Sequence, residues 1–172
     1  MVRRRQTKLF IALGAVFVLV MVALNFSMVS PGKRIITLKS YSTPADAFYA
    51  QISSDAVPVS KDLGTVKIDD DNAVYVALTE DGNVLAAQMW VRNDRYFYPG
   101  AFQLVPADSL KNGEAPEPIE SYTYGSGGKC TGALTFTLSL SEPQDASRFE
   151  KLYGAGGLGV VYLIWQTAPA ES

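Results

Sequence analysis

The chain has 172 residues, with 15 lysines and arginines against 17 acids, one cysteine and no histidine. Imidazole-based nucleophile pairs, imidazole-ligated zinc and His-ligated haem are therefore excluded, and the single thiol, Cys130, permits neither an internal disulfide nor a cysteine metal cluster. Residues 1–30 carry Arg3, Arg4, Arg5 and Lys8 and no acid, which leaves 11 basic against 17 acidic side chains afterwards; a body of that charge has no electrostatic attraction to nucleic acid.

The first element is the apolar stretch 9–29, LFIALGAVFVLVMVALNFSMV, which contains neither charge nor proline. As a helix it extends about 32 Å, the thickness of a bilayer's hydrocarbon core, so a single transmembrane span is expected. The basic tail 1–8 (Arg3, Arg4, Arg5, Lys8) outweighs Lys33, Arg34 and Lys39 on the other side. The bias predicts a cytoplasmic N-terminus and an extracytoplasmic domain, periplasmic if the cell is bacterial. A cleaved signal peptide is the competing reading. Its apolar core is shorter and ends in a small-x-small site, which Asn25-Phe26-Ser27-Met28-Val29 does not provide, so an uncleaved anchor is preferred.

Pro31-Gly32 ends the span within a juxtamembrane linker, 30–34, and one domain is expected over 35–168. Ile35 to Leu38 reads as a short strand. Thr43-Pro44-Ala45-Asp46 then carries the cap, first-turn proline and first-turn acid of a helix over 44–53, with Ala45, Phe48, Tyr49 and Ile52 on one face to lie against a sheet. Period-two alternation follows. Strands are predicted at 63–68, 73–78, 84–91, 96–98 and 102–105, separated by the turns 69–72, 80–83 (with Asp81-Gly82) and 92–95, and by Pro99-Gly100.

Residues 106–120 read as an exposed polar loop and 121–124 as a strand. Residues 133–140 alternate Leu134, Phe136, Leu138 and Leu140 with threonine and serine, the pattern of a half-buried strand. Ser141-Glu142-Pro143 is expected to open a second helix with Phe149, Leu152 and Tyr153 on one face and Gly154 at its end. Residues 159–165, GVVYLIW, read as a central strand buried on both faces. The polar tail from Thr167 should fray, and 169–172 is expected to be disordered. The fold class is α+β: a mainly antiparallel, β-rich domain with two short helices, a sandwich with helices at its ends being the alternative.

No constellation identifies a reaction. Asp69-Asp70-Asp71-Asn72 lacks the alternating ligands, sixth-position glycine and twelfth-position glutamate of a calcium loop, so it reads as a solvated turn. Gly125 to Gly132, with Lys129, has glycines but not the spacing of a phosphate loop, and a strand rather than a helix follows. Cys130 beside Lys129 reads as a buried or merely tolerated thiol, with a bridge to a partner as the alternative. Aromatics are enriched at interfaces, and on alternating strand positions some of the group Trp90, Tyr96, Phe97, Tyr98 and Phe102 must face away from the core. Trp90, Tyr96 and Tyr98 are therefore the candidates for partner contact, weighed evenly against core filling.

These features point to a non-enzymatic single-pass membrane protein whose extracytoplasmic domain is a structural or assembly subunit of a larger membrane complex. No metal or cofactor is expected, and the partners are the bilayer and other subunits. The alternative is a tethered small-ligand or glycan-binding module that stacks its ligand on Trp90 and the tyrosines. An enzyme using Asp94 with Tyr96 is the weakest reading.

Overall fold

The computed structural model describes residues 39–125, 129–144, 148–154 and 156–170. The apolar stretch 9–29, the basic residues Arg3, Arg4, Arg5 and Lys8, and the strand expected at 35–38 lie outside them. Among the described residues no helix is long and apolar enough to cross a membrane.

Among the described residues the domain is β-rich and antiparallel throughout its strand pairs, with two short α-helices and a single 3-10 turn at Gly156–Leu158. In chain order the elements are α1 (Pro44–Tyr49), β1 (Val59–Lys67), β2 (Asn72–Thr79), β3 (Val84–Arg92), β4 (Arg95–Phe97), β5 (Phe102–Val105), α2 (Ala107–Lys111), β6 (Ile119–Tyr124), β7 (Cys130–Ser139), β8 (Phe149–Tyr153) and β9 (Val160–Pro169). The first sheet runs β1-β2-β3-β4, with β5 following β4 along the same edge of β3. The second runs β6-β7-β9-β8.

Alternation on the strands decides how the sheets meet. Val74, Val76, Val84, Ala86 and Val105 of the first sheet pack against Leu134, Phe136, Leu138, Leu152, Val161, Leu163 and Trp165 of the second, forming the core of a two-sheet sandwich. The off-phase residues of β2 and β3, Ala73, Tyr75, Ala77, Leu85, Ala87 and Met89, are equally buried, because α1 and the loop after it cover that face. Phe48 is the centre of this cover, its ring edge-on to Tyr49, Tyr98 and Phe102 at 5.4, 5.2 and 5.6 Å.

The helix begins as its sequence predicts. Thr43 Oγ1 accepts the Asp46 N–H at 3.1 Å and Pro44 occupies the first turn. It stops at Tyr49, short of the expected 53. The Tyr49 hydroxyl then donates to the Val57 carbonyl at 2.8 Å and accepts from the Val59 N–H at 3.1 Å, drawing the loop back over the sheet.

The two sheets are also joined at one side by buried amides. Among the described residues β6 pairs only with β7, and side chains of the first sheet occupy its other edge. Asn72 Nδ2 donates to the Tyr124 carbonyl at 2.9 Å while Asn72 Oδ1 accepts the Tyr124 N–H at 3.0 Å, so one side chain satisfies both backbone groups as a neighbouring strand would. Gln88 Nε2 donates to the Tyr122 carbonyl at 2.5 Å and Gln88 Oε1 accepts from the Ser121 hydroxyl. Gln103 Nε2 donates to the Glu117 carbonyl at 2.6 Å, just before β6.

Four expectations are corrected. The helix expected after Ser141-Glu142-Pro143 is instead the strand β8, because Phe149, Lys151 and Tyr153 also alternate and β9 supplies a ladder for them. The run 159–165 does form a central strand, but only Val161, Leu163 and Trp165 are buried; Val160, Tyr162 and Ile164 face outward and are half-buried. The strands buried on both faces are β2 and β3. The loop 106–120 contains α2, and β9 carries its ladder past Thr167 to Pro169, where fraying was expected.

Candidate interaction surface

The outer face of the second sheet follows directly from strand period. Leu134, Phe136 and Leu138 point inward, so Ala133, Thr135 and Thr137 point outward on β7. The register then places Tyr122 beside Ala133, Ile164 between Thr137 and Phe149, Tyr162 beside Lys151, and Val160 beside Tyr153. Two of the three large apolar side chains that stand most exposed among the described residues lie here, Tyr122 at 51% and Tyr153 at 69%. No described element covers this face as α1 covers the first sheet.

One side of the face is concave. The segment 113–118 stands as a wall beside the end of β7, leaving a groove of about 530 Å³ whose lining includes Thr137, Leu140 and Ile164. A smaller hollow of about 130 Å³ continues it along β7 and β9, sharing Pro118, Thr137 and Ile164. The wall is tied down on both sides: the Thr137 hydroxyl donates to the Pro116 carbonyl at 3.2 Å, and the neighbouring Glu117 carbonyl takes the Gln103 amide. Glu114 and Glu117 are exposed along it.

At the other side of the face the chemistry is mixed. Lys151 pairs with Glu142 at 3.1 Å and lies over the Tyr162 ring at 5.7 Å, and Phe149 meets Tyr162 with centroids 6.0 Å apart. The hydrogen bond that the Lys151 ammonium donates to the Glu142 carboxylate chiefly holds its pKa above the ordinary range.

The sequence candidates divide differently. Trp90 is 1% exposed and packs on Phe97 at 4.6 Å beside Tyr124, and Tyr98 is 2% exposed against Phe48. Both rings fill the interior and offer no surface to a partner or to a stacked ligand. Tyr96 is half-buried, and its backbone pairs with Tyr41 through two 2.9 Å hydrogen bonds. Burial pushes the Tyr98 phenol well above its ordinary range. Tyr75 is raised mainly by burial, with Asp62 and Tyr49 adding to it.

Asp69 is occupied within its own turn, its Oδ1 accepting from the Asp71 N–H at 2.9 Å and from Asn72 Nδ2 at 2.8 Å. Asp94 sits exposed in the β3–β4 turn, where Asn93 and Asp94 both have positive φ (51° and 56°), the geometry of a two-residue hairpin turn. Cys130 is exposed at the start of β7, with Sγ 3.5 Å from the Gly132 carbonyl. Among the described residues, no three His, Cys, Asp or Glu side chains converge to hold a metal ion.

Sequence reasoning missed the outer face because the first part of β9, 160–165, reads as apolar in both phases. The available signal was that contrast: β7 alternates apolar with threonine, whereas its neighbour β9 places Val160, Tyr162 and Ile164 on the same outward side. Compared with known proteins, the chain matches no family model, no curated protein and no solved structure.

Proposed function

We propose that this is a non-enzymatic, single-pass membrane protein whose extracytoplasmic domain docks against other subunits of a membrane assembly. The observation that carries the reading is the outer face of the second sheet, which no described element covers and on which Tyr122, Phe149, Tyr153, Tyr162 and Ile164 are gathered. The uncharged stretch 9–29 and its basic flank support placement in a bilayer, with the acidic domain beyond it. The docked partners are other subunits of the assembly.

Gentle detergent extraction of the full chain followed by native electrophoresis tests the reading. The expected result is migration with stoichiometric partners, lost when Tyr153 and Ile164 are both replaced by aspartate. A chain that migrates alone as a monomer under every mild condition overturns it.

A further inference from the structure

Resting on the assembly reading, the groove on the second sheet narrows the chemistry of what docks there. The aliphatic side chains open to it are Leu140 and Ile164, both half-buried, and its wall is acidic, with Glu114 and Glu117 exposed. Glu120 faces outward two residues beyond Pro118. These three carboxylates have no ion-pair partner among the described residues, where the pairs are Lys111 with Asp108 and Lys151 with Glu142. Among the described residues no lysine or arginine lines the groove.

We propose that the groove receives a basic, aliphatic segment of a partner polypeptide, its aliphatic side chains seated on Leu140 and Ile164 and its lysine or arginine side chains reaching Glu114 and Glu117. Charge complementarity argues for the cation: an acidic wall over an apolar floor favours a positive partner and repels anionic head groups. Reach argues for a polypeptide. Tyr122 and Tyr153 stand exposed on the same face beyond the groove, and an extended partner covers them where a small amine does not. The wall is anchored through Pro116 and Glu117, so the carboxylates are presented on a pre-set frame and little ordering cost is left for binding.

The test is selection of a random heptapeptide library on the full chain in detergent micelles, followed by fluorescence anisotropy of the enriched peptides. Enrichment of lysine or arginine next to leucine, isoleucine or valine is expected, with affinity falling as salt rises. The E114K/E117K variant should weaken those peptides at least tenfold, and E114Q/E117Q should weaken them less. Both positions are exposed, so an unchanged unfolding temperature accompanies the loss. Enrichment without basic residues, equal binding by E114K/E117K, or equal binding of a simple alkylamine overturns the proposal. If subunits copurify but no basic peptide is enriched, the groove assignment fails and the assembly reading stands. If basic peptides bind but nothing copurifies, only the assembly reading falls.

Discussion

The two sheets solve the same problem differently. β2 and β3 are apolar in both phases, and the chain covers their outer side itself by laying Phe48 and the loop to Val57 across Tyr75, Leu85 and Met89. Residues 160–165 of β9 are also apolar in both phases, yet no described helix or loop is laid across Val160, Tyr162 and Ile164, which stay half-buried. Removing apolar surface from water is favourable by roughly 25 cal/mol per Å², so the second sheet retains a driving force that the first has already spent. An apolar run in a sequence therefore states that a surface needs covering. It does not state whether the cover belongs to the same chain.

Predictions sharpen this contrast in order of size. Phe48→Ala removes the centre of the internal cover and should lower stability by about 3–5 kcal/mol in urea unfolding followed by tryptophan fluorescence. A loss below about 1 kcal/mol would mean that α1 does not seal the first sheet. Asn72→Ala leaves the buried N–H and carbonyl of Tyr124 without the amide that serves both, at about 2–3 kcal/mol. Gly132→Ala tests the far end of the second sheet, where an added Cβ would stand 2.1 Å from the Ala168 carbonyl oxygen. A cost of about 1–3 kcal/mol is expected, with hydrogen-exchange protection lost first around 167–170.

Alkali should attack the covered layer. Burial raises the Tyr75 and Tyr98 phenols, so the folded chain keeps protons that the unfolded chain releases above about pH 10. Their stabilising effect is full below that pH and falls above it by up to about 1.4 kcal/mol per pH unit for each tyrosine. Tyr75→Phe and Tyr98→Phe should flatten the slope, and an unchanged slope would place the alkaline limb elsewhere. The smallest effect belongs to the uncovered face: Tyr153→Ser should change stability by less than about 0.5 kcal/mol while still weakening association with partners. A large stability loss there would show that Tyr153 is a packing residue.

Much of the first sheet was legible because its turns are written in short-range chemistry. Asp81-Gly82 marks the β2–β3 hairpin, the turn at 92–95 was placed within a residue of Asn93 and Asp94, and the bounds 102–105 match β5. Long-range context decided the rest. Phe149, Leu152 and Tyr153 fit a helical face as well as a strand, and only the open side of β9 makes β8 a strand. The helix α2 did have local signs, with Asp108 in its first turn, Lys111 in its last and Gly113 just beyond, but the surrounding prolines and acids read as loop. The aromatic cluster was found from sequence, although its accessibility was not, because composition cannot say that Trp90 closes on Phe97 and Tyr124 while Tyr122 stands outside.

The amides of Asn72, Gln88 and Gln103 along β6 have a consequence for crowding. A ribbon with idle peptide groups invites the same ribbon of the next molecule, and proteins held at high density on one plane meet each other edge-first far more often than in dilute solution. Here that rim is already spoken for by side chains of its own fold. Neighbouring copies are thereby denied one seam along which to stitch into fibres.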